Sequence, residues 1–266
     1  MFESYYGFSK TPFSPEIPAS AVFGHESLSE ALARLSYAVE RRLICLLTGE
    51  VGVGKSLALR SMASNFEPAR HTLVYLSNPA TGARGLLTDL VGDLDQCPGF
   101  FHTKLIRQAR DAIEAEVARG KCLVIVVDEA HLLQPSALEE IRLLTNSQMD
   151  SSPKFSLILS GQPPLLRRLK FSTLKALEQR VGLRIRLKPL NMEDVAGYIR
   201  HHLQLAGRSD NLFSDDAIHM IHKASGGIPR EVNNLSIQAL IAGCIEKKAI
   251  IDESTVRRAI AEIESD

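Results

Sequence analysis

An excess of charge of either sign is missing from this chain: 31 lysines and arginines balance 31 aspartates and glutamates over 266 residues. That balance excludes a whole-molecule field that gathers nucleic acid or an anionic membrane, so any such binding must come from a local patch. Cysteine is sparse as well, and Cys45, Cys97, Cys122 and Cys244 show no CxxC or other metal-ligand spacing. Cys45 and Cys122 lie in or beside apolar strand-like runs, where a reduced thiol acts as a small hydrophobe. A reducing, cytoplasmic compartment is the expectation. No apolar run approaches the ~20 residues that a bilayer-spanning helix needs. The opening MFESYYGFSK is too aromatic and polar for a signal peptide, so a protein without a membrane span is expected. Repeats and low-complexity stretches are also lacking.

What is present is an ordinary globular composition, 45% hydrophobic and 23% charged, with enough aliphatic residues to bury a core. Short apolar runs at 43–49, 71–77, 121–128, 154–161 and 182–187 read as strands. The run 123–127 is apolar on both faces, as a parallel strand covered by helices requires. Helical patterns at 55–65, 103–119 and 135–148 alternate with them. This alternation predicts an α/β fold, a doubly wound and mostly parallel sheet. After Pro189 the strands stop. Four helical patterns follow at 192–206, 215–224, 230–245 and 253–263, their starts marked by Asn191, Ser214, Pro229 and Asp252. The expected division is an aromatic arm and helix at 1–42, an α/β nucleotide-binding domain at 43–189, and a small all-helical domain at 190–266. The arm carries Tyr5, Tyr6, Phe8, Pro12, Phe13, Pro15 and Pro18, followed by a helix near 28–41.

Residues 49–56 read GEVGVGKS, a complete GxxxxGK[ST] pattern placed between an apolar strand and a helix. Glycines at 49, 52 and 54 let backbone N–H groups turn inward around phosphates, where a helix N-terminus adds partial positive charge. The expected nucleotide contacts are Gly49, Glu50, Val51, Gly52, Val53 and Gly54, continuing into Lys55, Ser56 and Leu57. Lys55 is placed to reach the β- and γ-phosphates of ATP, and the Ser56 hydroxyl to ligate Mg²⁺. A second element is the apolar run ending in Asp128–Glu129. A carboxylate at the tip of a buried strand is costly unless something uses it. Asp128 is expected to hold the Mg²⁺ water shell, and Glu129 to polarise the attacking water as a general base. His131, in the same turn, is expected to serve a structural or coupling role.

With these residues in place the chain resembles an AAA+ ATPase with a helical lid. Within that class it is similar to the family of the secretion ATPase ExeA and of transposon-encoded ATPases of the TniB and TnsC type. The resemblance runs along almost the whole length. It is carried by YYGFSKTPF (5–13), the 49–56 loop, VDEAH (127–131), LILSGQPPL (157–165), EQRV (178–181) and SGGIPREVNNL (225–235). It implies a sensor of the γ-phosphate at Ser160, with Gln162 as the alternate. It implies an arginine finger at Arg180, reaching the neighbouring subunit's nucleotide, and a second sensor at Arg230. The competing roles are a turn cap for Ser160, a surface ion pair for Arg180, and a solvated helix start for Arg230. A finger acting in trans makes assembly into a ring or helical filament part of the mechanism. The arm then reads either as an aromatic latch near the adenine or a neighbouring subunit, or as packing on its own core.

Three uses of such a switch stand open. One is a transposition regulator that binds double-stranded DNA without sequence preference and recruits a transposase. Another is a cytoplasmic ATPase for secretion or pilus assembly, and the third an oligomeric scaffold without DNA. The first is favoured because secretion members of the family usually continue into a membrane span, whereas the sequence stops at Asp266, and because 138–151 resembles compact transposon-type members. It is favoured also by basic clusters at Arg167, Arg168 and Lys170, at Arg184, Arg186 and Lys188, and at Lys104, Arg107 and Arg110. No aromatic residue interleaves these clusters in sequence, so contacts to the DNA backbone rather than to bases are expected.

Overall fold

The structure, a computed structural model, describes residues 2–14, 17–145 and 153–265. Pro15 of the arm and positions 146–151 of the helix and segment read above lie outside the described residues. In chain order the helices and strands are α1 (Phe2–Tyr6), α2 (Glu26–Glu40), β1 (Ile44–Thr48), α3 (Lys55–Ala63), β2 (His71–Leu76) and α4 (Gly82–Asp93). Then come α5 (His102–Ala118), β3 (Cys122–Val127), α6 (Pro135–Leu144), β4 (Phe155–Gly161), α7 (Pro164–Leu169), α8 (Lys175–Arg180) and β5 (Val181–Arg186). The chain closes with α9 (Met192–Leu205), α10 (Asp215–Ser225), α11 (Pro229–Ile245) and α12 (Glu253–Ser265). Contacts group these elements into two units. One contains Ser27–Gly49 and Lys55–Leu187; the other contains Met1–Glu26, Glu50–Gly54 and Lys188–Asp266.

The α/β unit is built on a five-stranded sheet in the order β2-β3-β4-β1-β5, with every pairing parallel. Position in that order accounts for the burial of each strand. β1, β4 and nearly all of β3 are buried residue after residue, because helices cover both faces of the middle strands. β2 and β5 are the edges and alternate between covered and exposed side chains. One face packs Leu46, Ile125, Val127 and Leu157 against Leu90 of α4, Ile113 of α5 and Leu138 of α6. Cys45 is fully buried on the opposite face, and burial pushes its thiol up to about 12, so it stays a protonated hydrophobe.

The helical unit has its own core, with Val195 and Ile199 of α9, Ile221 of α10 and Leu240 of α11. Asn191 caps α9 in a reciprocal box with Asp194, Ser214 accepts from the Ala217 amide, and Asp252 accepts from the Thr255 amide. Residues 2–14 of the arm belong to this unit. Tyr6 and Phe13 are buried in its core, Phe13 stacking on His202 with ring centroids 5.1 Å apart. These two rings therefore serve their own fold, which corrects the latch reading for Tyr6 and Phe13. Helix α4 is not among the helical patterns named from the sequence above. Beyond Pro189 an isolated parallel bridge joins Phe213 to Ile251.

The turn after α10 fixes the entry to α11. Gly226 and Gly227 both take left-handed backbone (φ 58° and 73°), but only at Gly227 would a Cβ strike backbone, 2.0 Å from the Leu190 carbonyl oxygen. Gly226→Ala should therefore cost about 1 kcal/mol, and Gly227→Ala roughly 3 kcal/mol or more. Urea unfolding followed by circular dichroism checks this, and equal costs would contradict the packing described.

Candidate nucleotide-binding site

In a parallel sheet all strand C-termini lie along one edge, and three of the expected site elements start there. β1 ends at Thr48 and passes to Gly49; β3 ends at Val127 and passes to Asp128; β4 ends with Ser160 and Gly161. Val127 is level with Leu159. Carrying that register on by one residue sets Asp128 level with Ser160, on the face that also carries Val126 and Ile158. The structure thus brings Lys55, Ser56, Asp128, Glu129 and Ser160 to one end of the α/β unit.

The contacts are specific. Lys55 opens α3, is 7% exposed, and donates from Nζ to the Gly49 carbonyl at 2.9 Å. Ser56 Oγ lies 3.4 Å from Asp128 Oδ2. Asp128 is 5% exposed, and its carboxylate is fixed from both sides. The Glu129 amide donates to Oδ1 at 2.9 Å and the Tyr75 hydroxyl to Oδ2 at 2.5 Å. Burial, with the Asp128 contact second, pushes the Tyr75 pKa up, so the phenol keeps its proton and remains the donor. Glu129 sits in left-handed backbone (φ 49°), a costly conformation for a residue with a Cβ, and its carboxylate is half-exposed. His131 Nδ1 stands 3.3 Å from Glu129 Oε2 and 3.5 Å from the Gln162 amide, linking Glu129 to the end of β4. Gln162 is therefore engaged through its backbone. Ser160 is fully buried, and its Oγ has no hydrogen-bond partner among the described residues. A buried orphan hydroxyl in a strand calls for an explanation, and a turn cap does not provide one.

The loop tip Glu50–Gly54 groups with the helical unit. Gly52 has φ 79°, and its carbonyl accepts from the Arg230 amide at 3.3 Å. A Cβ at Gly52 would come 2.7 Å from the Cβ of Arg230, so this position excludes any side chain. The Arg230 side chain itself is exposed.

Arg180 is elsewhere. It closes α8, directly before β5, and Val181 pairs with Ile44 at the start of β1. The strand length separating it from the Gly49 edge is roughly 16 Å at ~3.3 Å per residue, more than an arginine side chain spans. Its Nη1 donates to Thr145 Oγ1 at 3.1 Å, and it lines a cavity of about 300 Å³ with Arg42, Lys154 and Phe155. Arg168, read above as part of a basic cluster, spends its guanidinium on the carbonyls of His131 and Leu133. It is corrected to a brace of the turn after β3. Lys104, Arg107 and Arg110 are all exposed along α5. Phe100 and Phe101 stand before them at 76% and 70% exposure, with Arg84 over the Phe100 ring. Aromatic rings do therefore adjoin the basic face. The sequence reading missed them because they precede Lys104 rather than alternate with the cations.

The residues fit a magnesium nucleotide. Ser56 and Asp128 offer hard oxygen donors, and a buried hydroxyl is unspent. Among the described residues no cluster of three or more His, Cys, Asp or Glu side chains could hold a metal unaided, so an ion held by Ser56 and Asp128 would need further oxygens, such as those of a phosphate.

Residues 39–169 match the family model described as "AAA domain". With the parallel sheet order and its flanking helices, this gives the core of the chain an α/β P-loop AAA fold. More particularly, the chain is 36% identical over 247 residues to General secretion pathway protein A of Aeromonas hydrophila. That match takes in 91% of this chain and 45% of the relative, so the chain spans under half that protein's length. In fold it is similar to Cdc6p of Pyrobaculum aerophilum (TM-score 0.71, 17% identity, 98% of this chain and 70% of that one). It is similar also to the Aeropyrum pernix ORC1 protein solved in complex with DNA (TM-score 0.68, 13% identity, 95% and 68%). A third is the Thermotoga maritima RuvB Holliday junction branch migration motor (TM-score 0.58, 21% identity, 92% and 71%). Among the described residues no helix is long and apolar enough to cross a membrane.

Because the Ser160 hydroxyl has no partner to lose, Ser160→Ala should leave thermal stability unchanged or slightly raised while lowering nucleotide turnover. A melting curve and a phosphate-release assay on the same preparation test the pair. A marked loss of stability would return Ser160 to a purely structural role.

Proposed function

We propose that this chain is a Mg²⁺-dependent, ATP-hydrolysing oligomerisation switch whose site is completed by a neighbouring copy. The observation that carries the proposal is the separation within one sheet. Lys55, Asp128, Glu129 and Ser160 gather at the strand ends, whereas Arg180 stands at the strand starts beside Arg42 and Lys154. An arginine so placed serves another copy's nucleotide. Backbone amides of the 50–56 loop and the N-terminus of α3 hold the phosphates. Lys55 exchanges the Gly49 carbonyl for phosphate oxygens, and Ser56 and Asp128 hold the metal. Magnesium, when bound, neutralises charge on the phosphate oxygens. Glu129 takes the proton of the attacking water, with His131 orienting its carboxylate, and Ser160 donates to the γ-phosphate. Arg230, in α11 beside Gly52, reports phosphate state to the helical unit.

For the purpose of the switch, the first reading is a cytoplasmic transposition regulator. Its ATP-bound assembly, a ring or filament, binds double-stranded DNA without sequence preference and recruits a transposase. The exposed face formed by Lys104, Arg107 and Arg110 with Phe100 and Phe101 supports DNA binding. The second reading, a secretion or pilus-assembly ATPase, is favoured by the 36% identity to General secretion pathway protein A.

Lys55→Ala should abolish nucleotide binding, whereas Glu129→Gln should bind nucleotide and fail to turn it over. Normal hydrolysis by Glu129→Gln would refute the catalytic assignment. Fluorescence anisotropy of a labelled random-sequence duplex separates the two uses. Binding only with an ATP analogue, lost in Lys55→Ala, supports the DNA switch. No binding in any nucleotide state moves the function to secretion.

A further inference from the structure

The carboxylate expected to hold the metal is not positioned by the nucleotide loop alone. β2 is an edge strand, and its register sets Tyr75 level with Val126, two residues before Asp128 on β3. In a parallel pair, level residues share a face, and so do residues i and i+2. Tyr75, Val126 and Asp128 therefore all face α3. The Tyr75 ring, with Leu73, Val126 and the α3 residues Ser56, Leu59 and Met62, lines an apolar cavity of about 370 Å³. Its hydroxyl reaches out of that apolar wall to Asp128 Oδ2, the same oxygen that Ser56 approaches.

The consequence concerns geometry. Asp128 Oδ1 is committed to the Glu129 amide, and Oδ2 receives Tyr75 on one side and Ser56 on the other. With a donor on each oxygen, the carboxylate plane cannot rotate. The Ser56 side of Oδ2 is where a shared metal would be met. Without the phenol, the bond from the adjacent residue's amide remains, which moves with the loop that carries it, and Oδ2 keeps only the long 3.4 Å contact from Ser56, the side chain that a metal would itself engage. We propose that Tyr75 is a positioning residue for the metal: it presets the Asp128 carboxylate for Mg²⁺ without touching nucleotide. The inference rests on the ATP-binding reading of this site. Partners that orient a metal ligand in this way typically change metal affinity or activity by 10–100-fold when removed.

Tyr75→Phe is the test, because it deletes the hydroxyl and keeps the ring that fills the α3 wall. The readout is binding of a fluorescent ADP analogue, first in EDTA and then across a Mg²⁺ titration, with turnover measured alongside. The expected result is unchanged affinity in EDTA and a Mg²⁺ half-saturation point raised about tenfold or more. Turnover should recover at high Mg²⁺, and the melting temperature should stay close to that of the parent protein. A Tyr75→Phe half-saturation point within twofold of the parent's, while Asp128→Asn shifts it strongly, overturns the role of Tyr75 and leaves the nucleotide site standing. Weaker binding in EDTA also overturns it, since that marks a general structural role. If the parent protein binds nucleotide with no response to Mg²⁺, the magnesium ATPase reading and this inference fall together.

Discussion

A parallel sheet collects the C-terminal ends of its strands along one edge and the N-terminal ends along the other. Few constraints on this molecule decide more. The segments that follow β1, β3 and β4 come to the same edge without any long-range contact to arrange them, which is where a shared phosphate site can form. Residues preceding a strand, such as Arg42 before β1 and Arg180 before β5, come to the opposite edge and are held there by the same register. The direction of the strands thus separates Lys55, Asp128 and Ser160 from Arg42 and Arg180. On the function proposed above, a separation of this kind makes assembly a condition for turnover.

At the binding edge the polar groups are almost fully committed, and the exception is informative. Asp128 has both oxygens occupied, Lys55 is folded onto a carbonyl, and Glu129 is held in strained backbone with His131 at its carboxylate. Ser160, by contrast, is a buried hydroxyl at this edge with no hydrogen-bond partner among the described residues, so on the proposed function an incoming phosphate oxygen would have something to gain there. In the helical unit, a single backbone hydrogen bond from Arg230 and a close approach that admits only glycine tie α11 to Gly52.

Much of this was legible in the sequence. The 49–56 spacing encodes a loop that few other structures use, and five apolar runs marked the five strands to within a residue or two. The capping residues Asn191, Ser214 and Asp252 marked their helix starts because a cap is a local device. What escaped depended on register or on tertiary burial. Helix α4 contains Gly82, Gly85 and Gly92, which weaken helix propensity, and it is secured by burying Leu86, Leu87, Leu90 and Val91. Tyr75 looked like any alternating strand residue, because nothing in one strand tells which neighbour it will lie beside. Arg168 counted as surface charge until the carbonyls of His131 and Leu133 were found around it.

The central claim, that a neighbouring copy supplies Arg180 to complete the site, is tested most directly by mixing two disabled variants. Arg180→Ala should keep the parent's ATP affinity and lose turnover by ~10³-fold, as removal of an arginine finger does elsewhere. Lys55→Ala should lose nucleotide binding and keep its arginine. Mixed, the two can form sites that have both an intact loop and an intact finger. Turnover above the sum of the separate variants, peaking at an intermediate ratio, is the result this account predicts. Co-assembly of the two variants with no gain at any ratio would contradict it.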